Sequence, residues 1–263
     1  MCSPRVRPTR RTLTPQMQRE RSFGTASIYL GTIAVMVYCY AILLPVYRVE
    51  HSVAATVTVV AWSQLLGIVA LVLLHACLSV DPGWVSQLAV GDGWPRCKVC
   101  QELRPPQGSS HCRSCDACVA GFDHHCSVLG VCIARGNRHF FVGLLASATL
   151  CLLPLAFATF ACARLELLRA GGWSLLQAPS RNAPQLAWLG LKYLPGMAGL
   201  SWASAAVAAG CVFHVALLLC GSTTREFDRS AQRVLRRWRG RLAGRAAVAS
   251  EEKEGEEQGL LGE

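Results

Sequence analysis

The sequence predicts an all-α polytopic membrane protein, with four transmembrane helices and a cytosolic cysteine-rich domain between spans 2 and 3. Three observations lead there. The 263 residues are 52% hydrophobic and only 16% charged, with a mean hydropathy of +0.33, an apolar share too high for an ordinary soluble domain. The apolar residues gather in runs long enough to cross a hydrocarbon core about 30 Å thick. Between two of those runs, the 36 residues from Cys97 to Cys132 hold seven of the 14 cysteines and three of the seven histidines.

In chain order, residues 1–25 form a basic tail carrying Arg5, Arg7, Arg10, Arg11, Arg19 and Arg21, with no Asp and one Glu. The apolar run that follows is too long for a signal-peptide core, so an uncleaved span is expected. Ala26–Tyr47 and Ser52–Leu78 are the first two spans, joined by only Arg48, Val49, Glu50 and His51, and together they make up residues 26–78. Residues 79–139 are the cysteine-rich domain. Residues 140–221 hold spans 3 and 4 and the loop between them. The third runs from Phe140 to Ala163, with a kink expected at Pro154, and the fourth from Met197 to Gly221. The apolar stretch Gln185–Leu194 is too short to span and is closed by Pro195-Gly196, so it reads as an interfacial segment.

Charge placement orients these spans. The tails and the loop before the third span hold 21 of the 26 Lys and Arg residues. The two opposite loops hold Arg48, Arg164, Arg169, Arg181 and Lys192. The positive-inside rule therefore places both termini and the cysteine-rich domain in the cytosol and the loop between spans 3 and 4 in the lumen. A reducing compartment also suits cysteines concentrated in one ladder, with the rest scattered singly, mostly in apolar runs.

Residues 222–263 form a cytosolic tail. Phe227, Ala231, Val234, Leu235, Trp238 and Leu242 share one helical face, and Arg229, Arg233, Arg236, Arg237, Arg239 and Arg241 occupy much of the rest. A basic amphipathic helix of this kind suits an anionic lipid surface. Docking on the protein's own cysteine domain is the alternative. The Glu-rich residues 250–263 predict disorder, and Glu256-x3-Leu260-Leu261 resembles an acidic dileucine sorting signal.

The ladder reads C-x2-C-x10-H-C-x2-C-x2-C-x4-D-H-H-C-x5-C. Paired C-x2-C turns with interspersed His are the donor pattern of tetrahedral zinc. Two four-coordinate sites use eight ligands and the segment offers ten. A spare Cys beside a spare His suggests a nucleophile and its base. Spacing alone permits either a sequential or an interleaved partition of the ligands. Having few large apolar residues, the segment needs metal as its staple.

Asp123-His124-His125-Cys126 within this frame, with Asp81-Pro82-Gly83 before it and Asn137-x3-Phe141 and Thr223-Thr224-Arg225-Glu226 after it, resembles the DHHC family of membrane protein S-acyltransferases, or palmitoyltransferases. The resemblance implies two structural Zn2+ ions. One would be held by Cys97, Cys100, His111 and Cys118, the other by Cys112, Cys115, His125 and Cys132. It implies Cys126 as nucleophile. His124 can take the thiol proton and Asp123 can orient the imidazole. The acyl donor would be a fatty acyl-CoA such as palmitoyl-CoA, and the acceptor a cysteine of a membrane-associated protein. Lys98, Arg104, Arg113, Arg135 and Arg138 are cations available to CoA phosphates. A multi-pass endomembrane location (Golgi, ER or plasma membrane) is expected, and no nucleic-acid partner.

Two flanking elements also have plain readings: Asp81-Pro82-Gly83 is a good turn, and Thr223-x2-Glu226 is a helix capping box. Asn137 is expected to fix the start of the third span through backbone hydrogen bonds. The chain departs from the family at several places. Ten residues separate Cys100 from His111 where nine are usual, so a bulge is expected at Gln107-Gly108. Ser127-Val128 replaces the usual Pro-Trp, removing a ring that helps enclose the acyl chain, and Val131 replaces an Asn. The family's C-terminal Asn element is unmatched, since no Asn follows Asn182. The alternative function is a catalytically weak membrane zinc scaffold that binds partner proteins. A RING-like ligase fails on spacing, because the ladder ends in C-x5-C.

Overall fold

A computed structural model describes residues 15–50, 53–89 and 91–260. Arg5, Arg7, Arg10, Arg11, His51 and Leu261 lie outside the described residues. The order is α1 (Pro15–Tyr38), a π turn (Cys39–Leu43), α2 (Leu44–Glu50), α3 (Val53–Ser79), β1 (Ser110–Cys112), β2 (Ala117–Val119), β3 (Phe122–Cys126), β4 (Val131–Ala134), α4 (Arg138–Arg169), α5 (Trp173–Gln177), α6 (Ala183–Leu219) and α7 (Thr224–Leu260). One compact unit ends at Ala216 and a second begins at Leu217.

Among the described residues, four helical segments are long and apolar enough to cross a membrane: Gln18–Val46, Thr58–Ser79, Arg138–Arg169 and Ala183–Leu219. Leu30, Ile33, Ile68, Val72, Phe157, Phe160 and Trp202 stand exposed on them. An apolar surface of this extent belongs in lipid. The mostly helical, four-span architecture matches the sequence reading.

The first span is not a plain α-helix. Pro45 has no N–H to give to the carbonyl of Ala41, and its ring crowds that group. The chain takes up the mismatch as the π turn Cys39–Leu43 immediately before it.

Two sequence expectations are corrected. Gln185–Leu194 is not a separate interfacial segment, because α6 runs unbroken through Pro195. Packing overrides the proline. Tyr193 is buried with Leu43, Val46 and Cys162, and Lys192 pairs with Glu166 at 2.6 Å. Gly196 lies so close to the Tyr38 ring that any side chain there would collide. The second correction is at the acidic end, where α7 continues to Leu260 in place of the expected disorder. Glu, Lys and Gln dominate residues 251–258 and are good helix formers, so the helix propagates past Gly255. At the other end of α7, Thr223 N–H donates to Glu226 Oε2 at 2.9 Å and Glu226 N–H to Thr223 Oγ1 at 3.2 Å. These reciprocal bonds are those of a capping box.

The cysteine-rich segment is built from two antiparallel hairpins, β1–β2 and β3–β4. The extra residue between Cys100 and His111 is absorbed in a bend over 106–108, where Gly108 takes φ +65°. Asp81 Oδ1 accepts the N–H groups of Gly83 and Trp84 at 2.7 and 3.0 Å. The turn so formed docks on both flanks: Ala120 N–H donates to Gly83 O, and Gly136 N–H to Pro82 O.

Asn137 is fully buried. Its Oδ1 accepts Ala134 N–H at 2.9 Å, and its Nδ2 donates to Cys77 O at 3.2 Å and Cys132 O at 3.0 Å. One amide thus ties the end of α3 to β4 and the start of α4. Asn137→Ala would leave three buried backbone groups without that partner, each worth about 1 kcal/mol. A loss of about 3 kcal/mol is expected, read as a lowered thermal midpoint in detergent; an unchanged midpoint would refute the role.

Candidate active site

Strand geometry decides which ligands meet. Neighbouring residues on a strand face opposite ways, so His111 and Cys112 on β1 cannot serve one site. His111 pairs across the hairpin with Cys118, and His125 on β3 pairs with Cys132 on β4. The result is interleaved. Cys97, Cys100, His111 and Cys118 converge in one cluster, and Cys112, Cys115, His125 and Cys132 in another, with ligand atoms inside each within 4.8 Å of one another. The C-x2-C turns at Cys97/Cys100 and Cys112/Cys115 close on a residue of positive φ, Gln101 at 58° and Asp116 at 46°.

The donors suit zinc. In the second cluster, Cys115 Sγ lies 3.3 Å from Cys132 Sγ, and His125 Nδ1 lies 3.3–3.7 Å from the three sulfurs. These separations approach the edge of about 3.8 Å in a zinc–thiolate tetrahedron and are far too long for a disulfide. In the first cluster, His111 Nδ1 is buried without a hydrogen-bond partner, an orphan that a metal ion satisfies. Each histidine turns its other nitrogen to a carboxylate, His111 Nε2 to Asp116 at 3.5 Å and His125 Nε2 to Glu20 at 2.8 Å.

The leftover pair lies on the other face of β3. His124 and Cys126 are two residues apart and share a side, opposite His125. A bulge between Phe122 and His124 breaks the alternation and re-aims Asp123. Asp123 Oδ2 then sits 2.8 Å from His124 Nδ1. Burial by itself would hold the His124 pKa down, but the Asp123 hydrogen bond and the Cys126 sulfur outweigh it and push it up to about 9. The arrangement favours the protonated imidazole beside the Cys126 sulfur.

Asp123 is fully buried, and three cationic or polar groups surround it. Besides His124, Arg138 Nε lies 3.8 Å from Oδ1 and His214 Nδ1 3.8 Å from Oδ2. His214 comes from α6, and its ring stands 5.3 Å from His124 and edge-on to Phe141 at 5.0 Å. The sequence reading missed His214. The available signal was an ionisable side chain in an apolar span, which is rare without a function. Arg138, by sequence a cation available to CoA phosphates, here faces Asp123. Arg104 donates to Ser109 O at 2.9 Å, while Lys98, Arg113 and Arg135 are exposed.

Cys126 also opens on a cavity of about 760 Å³. Its walls are mainly apolar and come from α1, α3, α4 and α6, with Leu74, Phe141, Leu144 and Trp202 among them and Val128 at the Cys126 end.

A cysteine-rich segment with two clusters able to hold metal, carrying a Cys–His–Asp group at the mouth of an intramembrane cavity, defines a class of membrane enzyme-like proteins. Residues 93–231 match the DHHC palmitoyltransferase family model, and the chain belongs to that family. It is 35% identical over 152 residues to the probable palmitoyltransferase ZDHHC24 of Homo sapiens, covering 53% of this chain and 51% of that one. It is 40% identical over 75 residues to the palmitoyltransferase ERF2 of Eremothecium gossypii, covering 28% and 19%. With the probable protein S-acyltransferase 3 of Arabidopsis thaliana it shares 50% identity over 54 residues, 20% of this chain and 13% of that one. The chain spans about half the length, or less, of these relatives.

Proposed function

We propose that this chain is a protein S-acyltransferase that carries a fatty acyl group, palmitoyl in the first instance, from acyl-CoA to cysteines of membrane-associated proteins. The observation that carries the reading is the position of Cys126. It is the one ladder cysteine left out of both clusters, it lies beside His124, and it lines the apolar cavity. An acyl chain can lie in the cavity while its thioester carbonyl meets the sulfur.

The Cys126 sulfur attacks the thioester carbonyl carbon. A new S–C bond forms, the CoA S–C bond breaks, and the departing sulfur takes the proton from His124. In the second half, His124 accepts the proton of a substrate thiol, whose sulfur attacks the acyl-Cys126 carbonyl and frees Cys126. This is ping-pong covalent catalysis. Asp123 holds the imidazole through Nδ1, so Nε2 is the nitrogen left to exchange the proton. The clusters Cys97/Cys100/His111/Cys118 and Cys112/Cys115/His125/Cys132 would each hold a structural zinc, which staples the hairpins and adds positive charge favouring thiolate. Exposed Lys98, Arg113 and Arg135 are the cations left for CoA phosphates.

The scaffold reading keeps one observation in its favour: Val128, exposed at the Cys126 end of the cavity, leaves open a place the family usually fills with Trp. Cys126→Ala separates the two readings. It is expected to retain about two zinc ions per chain and to lose hydroxylamine-sensitive labelling by radiolabelled palmitoyl-CoA. His124→Ala is expected to keep the zinc and slow labelling by about 10²–10⁴-fold. Unlabelled wild-type protein with its zinc intact would favour the scaffold.

The cytosolic placement of both termini and the cysteine domain rests on the basic-residue split. Glycosylation tags after Arg48 or near Arg181 are expected to be modified and tags at either terminus to stay bare; a glycosylated C-terminus excludes this topology. We assign α7 to an anionic lipid surface, since Phe227, Val234, Leu235, Trp238 and Leu242 are all exposed among arginines. A peptide of residues 224–245 is expected to bind anionic vesicles and turn helical, with each basic residue near the surface worth about 1 kcal/mol. Equal binding to neutral vesicles would remove the electrostatic part.

A further inference from the structure

The only acidic residue in the first 26, Glu20, does not sit idle among the arginines. Its Oε2 lies 2.8 Å from His125 Nε2, and both side chains are largely shielded, 24% and 12% exposed. His125 turns Nδ1 into the second cluster, so Nε2 carries the proton and Glu20 accepts it. A carboxylate in this position fixes the tautomer and ring angle of a metal-binding imidazole and raises its basicity.

The same helix meets the chain beyond Cys126 at two more places. Gly24 of α1 is buried against the Val128 carbonyl, where any Cβ would collide. Gly130, at φ +61°, lies under the Arg21 backbone with no room for a side chain. Arg21 also donates to Leu78 O at the end of α3, at 3.2 Å. One turn further on, Ser27, Ile28 and Gly31 line the cavity.

We propose that Glu20 is an outer-sphere positioning residue of the second metal cluster, and that Glu20 and Gly24 together dock the first span on the turn after Cys126. The proposal rests on zinc in that cluster. It makes the metal site and one wall of the cavity a single mechanical piece, since both hang on the start of α1. Among the described residues, the carboxylate in the matching place for His111 is Asp116, five residues away and exposed, and not a residue of α1.

The test uses the full chain in detergent micelles, measuring zinc content and the release of zinc to a colorimetric chelator. Wild type is expected to carry about two ions; a folded wild type without zinc removes the metal reading itself. Glu20→Ala is expected to release one ion about 10–100-fold faster, with the other at its wild-type rate. Glu20→Gln, whose amide oxygen still accepts from Nε2–H, is expected to restore most of the difference. Gly24→Val, which leaves Glu20 intact but forces α1 off the Val128 carbonyl, is expected to speed release of the same ion. If Glu20→Ala does not fold, Glu20→Asp, one methylene short, replaces it with the same expectation. Wild-type release of both ions in the Glu20 variants, equal acceleration of both ions, or unchanged release in Gly24→Val would overturn the proposal.

Discussion

Everything at this site depends on the two-residue period of β3. A single strand of five residues presents His125 to one Cys/His cluster on one face and carries His124 and Cys126 on the other, with Cys126 lining the cavity. Because the strand is fixed by its pairing to β4, where Cys132 sits opposite His125, the pairing that gathers the cluster also sets the azimuth of Cys126. The bulge at Asp123 is the one permitted irregularity, and it serves the same end. Without it, alternation would turn Asp123 towards the metal side and away from His124.

Around that strand the membrane helices supply what so small a sheet cannot. Leu74 and Cys77 of α3 and Phe141 of α4 pack under Leu129, Val131 and Ile133. Asn137 bonds across the same junction. A segment of short strands with few large apolar residues has little core of its own, so it borrows one from the bundle and completes it with metal ligands. The Asp123 carboxylate shows the cost of such burial. It is tolerated only because His124, Arg138 and His214 approach it from three elements.

Much of this was legible in the residues. Four apolar runs, a ladder with ten donors and an S/T-x-x-E cap were written in local pattern, and local pattern is what sequence reading handles well. The eight Cys and His side chains that group in two clusters, and the Asp123–His124 pair beside them, are residues the motif singled out, and their roles are those proposed above. What escaped was set by distance or by packing. His214 lies 90 residues from His124, and nothing in an apolar run says which way one histidine faces. Glu20 looked like a lone acid in a basic tail. Pro195 signals a helix end, and only the Tyr193 contacts and the Lys192–Glu166 pair explain why the helix ignores it. The strands are three to five residues long, too short for periodicity to register.

The Lys192–Glu166 pair carries a geometric consequence for the bilayer. It sits towards one end of the bundle, while His214, on the same helix as Lys192, is held at the other end among Asp123, His124 and Phe141. The 22 helical steps between Lys192 and His214 rise about 33 Å, close to the thickness of a hydrocarbon core of about 30 Å. Helix α6 thus carries polar groups about one hydrocarbon thickness apart, a spacing that disfavours sliding along the membrane normal. A thinner or thicker membrane would be met by tilting, by local bilayer deformation or by snorkelling of Lys192.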